Sequence, residues 1–366
     1  MAVSRRRLLR AAGVLGVAGS AGCPATPTAE EGEGRTSGEG RTGGGDGVDT
    51  ATDDAPTTGE PRDYDTVRGR DRNEVVLDGG FEREYAIEVT ADGVAVENLT
   101  GRFYRETPFY WTGVEGFRGS FLTAHNNGYY GIYAYGSRDG RFEHSYASGH
   151  PDAGFYLGRN RPYDAVISDV VAEHNAIGYS GTSTGGPLTV TDSVWRYNKV
   201  GVFPNTLDRA DPPQRSTGVV GTEIYGNDDA AAPALESYPL LGMGVLLWGG
   251  SDNVVADNRV TGSDRADLAL GRPAGDGNDF RGNELGTSLP PGIQSDASEG
   301  SAEVTDVFVA LERQVETGEF PAGDWRDQPV PGDQPSMPDP EAPPRPAEVG
   351  TSLAAPRAQT DGYGME

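Results

Sequence analysis

Three of the four histidines, His125, His150 and His174, stand 25 and 24 residues apart. Imidazoles that recur at a fixed period can surround one Zn²⁺ or Cu²⁺ if the fold stacks the repeats. No carboxylate or cysteine completes such a set. The competing reading is a ladder of turn hydrogen bonds in which His takes the place of Asn, and Tyr197 and Asn227 extend the same spacing. Asp169 and Asp192 are 23 residues apart. If the repeats stack, their carboxylates lie about 5 Å apart, the separation of a retaining glycosidase pair, and they could bind Ca²⁺. The plainer account is that each Asp caps its own bend. Arg159 and Arg161 sit in the turn Gly158-Arg159-Asn160-Arg161-Pro162-Tyr163-Asp164. Two guanidiniums so close can grip a carboxylate bidentately, or they are solvated turn residues.

A further candidate is aromatic. A glycine followed by alternating apolar residues recurs at Gly131, Gly154, Gly178, Gly201 and Gly244. If Ile132, Phe155, Tyr179 and Val202 point inward, then Tyr133, Tyr156 and Phe203 point outward, with Tyr135 and Trp248 beside them. An exposed aromatic stripe is costly in water unless a sugar face, a partner or another part of the chain covers it. The tail and the insert near residues 205–243 are the internal candidates for that cover.

The elements that must position these residues follow from the same spacing. The first four glycines are 23, 24 and 23 residues apart, and the last gap of 43 is one coil plus an insert. Two further apolar strips recur between the glycines, for instance Ala165-Val166-Ile167 and Val170-Val171, then Leu188-Thr189-Val190 and Val194-Trp195. Alternation over four or five residues argues for strands, and three strands repeated in the same order argue for parallel stacking, coil upon coil. About nine coils at ~4.8 Å would make a rod roughly 40 Å long. Small Gly, Asn, Asp and Ser residues mark the bends, where left-handed backbone is needed.

This pattern, with Asn175-Ala176-Ile177-Gly178 and Asn198-Lys199-Val200-Gly201 as its Asn-x-x-Gly repeats, resembles the parallel β-helix repeat proteins of the pectin-lyase-like superfamily. The resemblance implies an all-β right-handed parallel β-helix, a solenoid with coils of 23–25 residues. It implies no single activity, because that superfamily holds lyases, hydrolases, epimerases, metal-delivery proteins and non-catalytic adhesins. No motif of a lyase family is present.

The boundaries are compositional. Ser4-Arg5-Arg6-Arg7-Leu8-Leu9-Arg10, an apolar run and Ala21-Gly22-Cys23 resemble a twin-arginine export signal ending in a lipobox, so residues 1–23 read as a signal and Cys23 as a lipidation site. Ser20 departs from the usual lipobox residue. Residues 24–62 are rich in Gly, Thr, Glu and Asp and read as a disordered acidic linker. Residues 63–290 hold the β-helix. Over 291–366, Val304, Val307, Phe308, Leu311 and Val315 fall at helical spacing, which predicts one amphipathic helix at 302–317, suited to closing the open end of the rod. A Pro-rich tail follows, either lying along the rod or disordered.

The formal net charge is −26 and Lys199 is the one lysine. So acidic a chain repels nucleic acid and resembles a haloarchaeal protein, whose charge keeps it soluble in concentrated salt. One cysteine excludes an intrachain disulfide. The sequence thus predicts an exported monomer, lipid-anchored at the extracellular face of the cell membrane or secreted, that binds and could process polysaccharide, with no cofactor established. A structural surface protein and a metal-handling β-helix are the alternatives.

Overall fold

The computed structural model describes residues 64–160, 164–206, 210–211, 213–235, 239–271, 273–295 and 299–344. Cys23, the expected signal and linker, and Arg161 lie outside them. Three parallel sheets of nine strands each wind into nine coils of a right-handed parallel β-helix, as the resemblance implied. We call the sheets A, B and C in chain order and number the coils 1 to 9. Coil 4, for example, comprises Arg138–Glu143 in sheet A, Tyr146–Ser148 in sheet B and Ala153–Gly158 in sheet C. Strands run from Asp65 to Leu289.

One side chain in two points into the rod, as strand geometry requires. Ile132, Phe155, Tyr179, Val202, Val245 and Leu268 stack down the inside of sheet C, fully buried. They meet Phe117, Phe142 and Ile167 from sheet A, with Trp195 and Ile224 from sheet B. The repeated glycines precede these inward residues for a reason that differs from the expected left-handed bend. A Cβ on Gly131, Gly201 or Gly244 would stand 2.4–2.6 Å from a carbonyl oxygen of the next rung. The coil closes there so tightly that only a hydrogen fits. Left-handed backbone is instead concentrated at the corners. From A to B it falls on Asn98, Phe121, His144, Asp169, Asp192 and Asp257, all with φ between 49° and 56°.

The described parts of the insert's two loops flank sheet C: 206, 210–211 and 213–214 follow its coil-6 strand, and 226–235 and 239–242 precede its coil-7 strand. The helix predicted at 302–317 is present as α1 (Ala302–Thr317), capped by Ser301 at its start and by left-handed Gly318 at its end. It does not close the rod's open end. Residues 290–295 do that: Ile293 enters the core and Gln294 Oε1 accepts from Asn283, ending an Asn ladder. Helix α1 lies on the outer face of sheet C, where Val304 and Phe308 join Phe203, Leu246 and Trp248 in a second apolar cluster.

The tail then runs back along the rod. Asn126 Nδ2 donates to the carbonyls of Trp325 and Gln328. Asn98 Oδ1 accepts from Met337 N, and Arg68 donates to Pro340 O. Beneath its end lies an ion-pair ladder the sequence reading did not single out: Glu97 bridges Arg68 at 2.7 Å and Arg118 at 3.0 Å, and Arg118 reaches Glu143 at 2.8 Å.

Candidate functional site

The tyrosine face of sheet C. The outward column of sheet C reads Glu88, Tyr110, Tyr133, Tyr156, Ser180, then Phe203. The first part is a tyrosine ladder. Tyr85 stacks on Tyr110 (5.6 Å between centroids) and Tyr110 on Tyr133 (4.6 Å), and Tyr156 lies 4.9 Å from Tyr133 at a steep angle. Tyr130, from the preceding turn, stacks on Tyr156 at 4.4 Å, and Tyr135 packs edge-on to Tyr133 at 6.2 Å. Parallel stacking at one rung spacing turns ring faces toward one another, so this surface presents ring edges and hydroxyls more than open faces. The second part of the stripe differs from expectation. Phe203 is fully buried and Trp248 is 5% exposed, with Phe308 of α1 lying 4.8 Å from Trp248. These two are packing residues under α1 and not a platform for ligand.

Beside the ladder runs a column the sequence reading missed: Glu106, Tyr129 and Asp152, on coils 2, 3 and 4. Backbone bonds Tyr129 N to Glu106 O and Asp152 N to Tyr129 O join its rungs. Burial among tyrosines pushes the Asp152 carboxyl up to about 7, opposed in part by the hydroxyl of Tyr130, which hydrogen-bonds to it. Burial and then Glu84 raise Glu106. Burial and then Asp152 raise Tyr129 to about 12. Burial holds the Tyr130 phenol well above its ordinary value. The signal was available, since residues 106, 129 and 152 repeat at the 23-residue coil period. It was obscured because the three residue types differ. Chemically, Asp152 is a carboxylic acid poised to give or take a proton near neutrality. Glu106 stands two rungs away, a backbone separation of roughly 10 Å.

The histidines do not form the expected column. Ser148, two residues before His150, is the register partner of His125, and Glu173, next to His174, is the partner of Ser148. The coils here are 23 and 25 residues long, so spacings of 25 and 24 carry each His to a different position. His150 is a rung of an Asn ladder: Asn127 Nδ2 donates to its Nε2 at 3.1 Å, and its Nδ1–H donates to Asn175 Oδ1 at 2.8 Å. That fixes the tautomer, and burial lowers the imidazole to about 3. Asn175, Asn198 and Asn227 continue the ladder. His125 donates to its neighbour Asn126, while His174 donates to Asp229 at 2.9 Å and is raised by that bond. Among the described residues no group of three or more His, Cys, Asp or Glu could hold a metal ion.

Asp169 and Asp192 do share a column, at the left-handed A-to-B corner. They turn to separate partners: Asp169 to His144 on the rung before, Asp192 to the adjacent Thr191 hydroxyl at 3.0 Å. The geometry is that of two solvent-facing corners rather than a carboxylate pair facing one ligand. Arg159 is an exposed corner residue with φ 53°, next to Gly158, whose neighbours include Tyr135 and Tyr156. Among the described residues no helix is long and apolar enough to cross a membrane.

Fold and face together define a parallel β-helix protein with tyrosine and carboxyl columns side by side on one sheet. No family model matches the chain, and no curated protein does. Among solved structures, the A-module of mannuronan C-5 epimerase AlgE4 from Azotobacter vinelandii is 13% identical with a TM-score of 0.34, over 54% of this chain and 64% of that one. The periplasmic alginate epimerase AlgG is 13% identical with a TM-score of 0.35, over 58% and 52%. Endo-xylogalacturonan hydrolase from Aspergillus tubingensis is 14% identical with a TM-score of 0.35, over 62% and 82%. The chain thus spans less than two thirds of the two epimerase chains.

Proposed function

We propose that the tyrosine-lined half of sheet C binds polysaccharide, with Asp152 as the proton-transferring group of any reaction there. The observation that carries this reading is the partly open tyrosine ladder of sheet C, Tyr133 and Tyr156 with Tyr130, beside which burial raises the Asp152 carboxyl to about 7. Phenol hydroxyls and ring edges suit the hydroxyls and C–H groups of a sugar chain. Asp152 with Glu106, at roughly two rung spacings, falls near the upper end of the separation used in inverting hydrolysis. The test is a panel of acidic and neutral polysaccharides in concentrated salt, following retention, new reducing ends and ultraviolet absorbance of unsaturated uronates. Tyr133→Ala with Tyr156→Ala should abolish retention. Asp152→Asn should keep retention and abolish products. Retention unchanged by the double Tyr variant removes the reading.

A non-catalytic surface role is the second reading. It is favoured by the burial of Phe203 and Trp248 under the chain's own helix, which assigns two of the stripe's five aromatics to self-packing. Export and lipid anchoring through Cys23 rest on the pattern from Arg5 to Cys23, and metabolic labelling with a radioactive lipid precursor, with Cys23→Ala as control, tests them.

A further inference from the structure

The tyrosine face of sheet C ends at a wall, and Asp152 stands beside that wall. Outward residues of sheet C are partly open at Tyr133 and Tyr156 on coils 3 and 4, and Tyr110 on coil 2, stacked against Tyr85 and Tyr133, is 8% exposed. Ser180 on coil 5 is closed off, and from coil 6 onward Phe203, Leu246 and Ala269 are at most 1% exposed beneath α1. Tyr130 and Tyr156 abut the same apolar cluster, as does Ala234 of the insert. Leu235 N donates to the carbonyl of Pro151, the residue before Asp152, at 3.0 Å.

The wall is fastened and not merely laid on. The buried ammonium of Lys199 donates to the carbonyls of Asp229 and Ala230 in the insert, both at 3.1 Å, and of Pro321 after α1 at 2.6 Å. Gly323 N donates to Ala232 O, and Gln328 Nε2 to Ala231 O. Insert, helix and tail are therefore one body locked to coils 4 to 6.

We infer that the site is closed at one end and takes the terminus of a polysaccharide chain, not a stretch in its middle. This rests on the polysaccharide reading above. A chain lying along the tyrosine ladder meets Ala234 and α1 just beyond Tyr156. Only a terminal unit can then reach Asp152, with the rest of the chain trailing toward coil 1. The three rungs of the ladder, Tyr110 to Tyr156, span roughly 10 Å, enough for about two sugar units.

Binding stoichiometry tests this without requiring turnover. The full chain, in concentrated salt, is titrated calorimetrically with oligogalacturonates and xylo-oligosaccharides of graded length and with their parent polymers, concentrations being expressed in chains. Tyr156→Ala serves as the control for binding at this face. End-on binding predicts one protein per chain at every length, and a Kd per chain that is constant to within about threefold once the ladder is filled. A number of proteins per chain that rises in proportion to chain length overturns the inference while leaving polysaccharide binding intact. Absence of heat with every probe overturns the parent reading, and this one with it.

Discussion

Lys199→Met is the perturbation with the most to reveal, because the lysine is fully buried and holds three carbonyls from two segments distant in sequence. Burial lowers its ammonium from 10.5 to about 8, with Asp229 opposing. The sign is fixed by linkage. Between pH 8 and 10.5 the unfolded chain holds the proton that the folded chain has released, so stability rises with pH across that window. From pH 7 to 9.5 the wild type should gain on the order of 2 kcal/mol from this group alone, at 1.36 kcal/mol per pH unit above 8. Lys199→Met has no proton to lose and should lack that gain. At pH 7 the variant loses three charge-assisted bonds but also a desolvated charge, so its net cost should be about 1–3 kcal/mol. The assay is denaturant unfolding of both proteins at pH 7.0, 8.5 and 9.5 in fixed high salt, read as the difference between them, which cancels the tyrosines that titrate near the upper limit. A difference independent of pH would refute the reasoning. It would mean that the amine is solvated and that the wall is held by apolar contacts alone.

Other predictions follow from the same contacts. His150→Asn restores the type of its ladder neighbours and should cost less than about 1 kcal/mol, whereas His150→Ala leaves buried amide groups unpaired and should cost about 2–3 kcal/mol in chemical unfolding. Because Asp152 is raised in the folded state, its charge destabilises the fold above pH 7 and not below pH 4. Asp152→Asn should therefore raise the thermal midpoint at pH 8 and leave it unchanged at pH 4; the same shift at both pH values would contradict the burial argument. Glu97→Gln weakens a buried link between Arg68 and Arg118 and should cost about 3 kcal/mol or more, with earlier proteolysis of the tail after Met337. Gly201→Ala would place a Cβ 2.6 Å from Gly244 O, and the variant should unfold several degrees earlier or fail to accumulate.

The sequence by itself determined the architecture. Period-2 alternation and a glycine every 23 or 24 residues specify strands and their stacking order, because a coil that repeats must place like residues on like rungs. The inward set from Ile132 to Val202, the two loops of the insert and the limits of α1 were all legible, since each depends on local periodicity. The candidate site was legible only in part. Tyr133 and Tyr156 fall on the open face as read, but the same alternation also pointed Phe203 and Trp248 outward, and it could not say that a helix far later in the chain, Ala302–Thr317, would lie on them. The histidine spacing failed for a related reason: coils of 23 and 25 residues shift the register, and a one- or two-residue shift moves a side chain to another column. Only the tertiary structure could bring Asp229, Ala230 and Pro321 around Lys199, or surround Asp152 with tyrosines. Burial and proton affinity belong to neighbours from other coils, and those neighbours are set by packing, not by sequence distance.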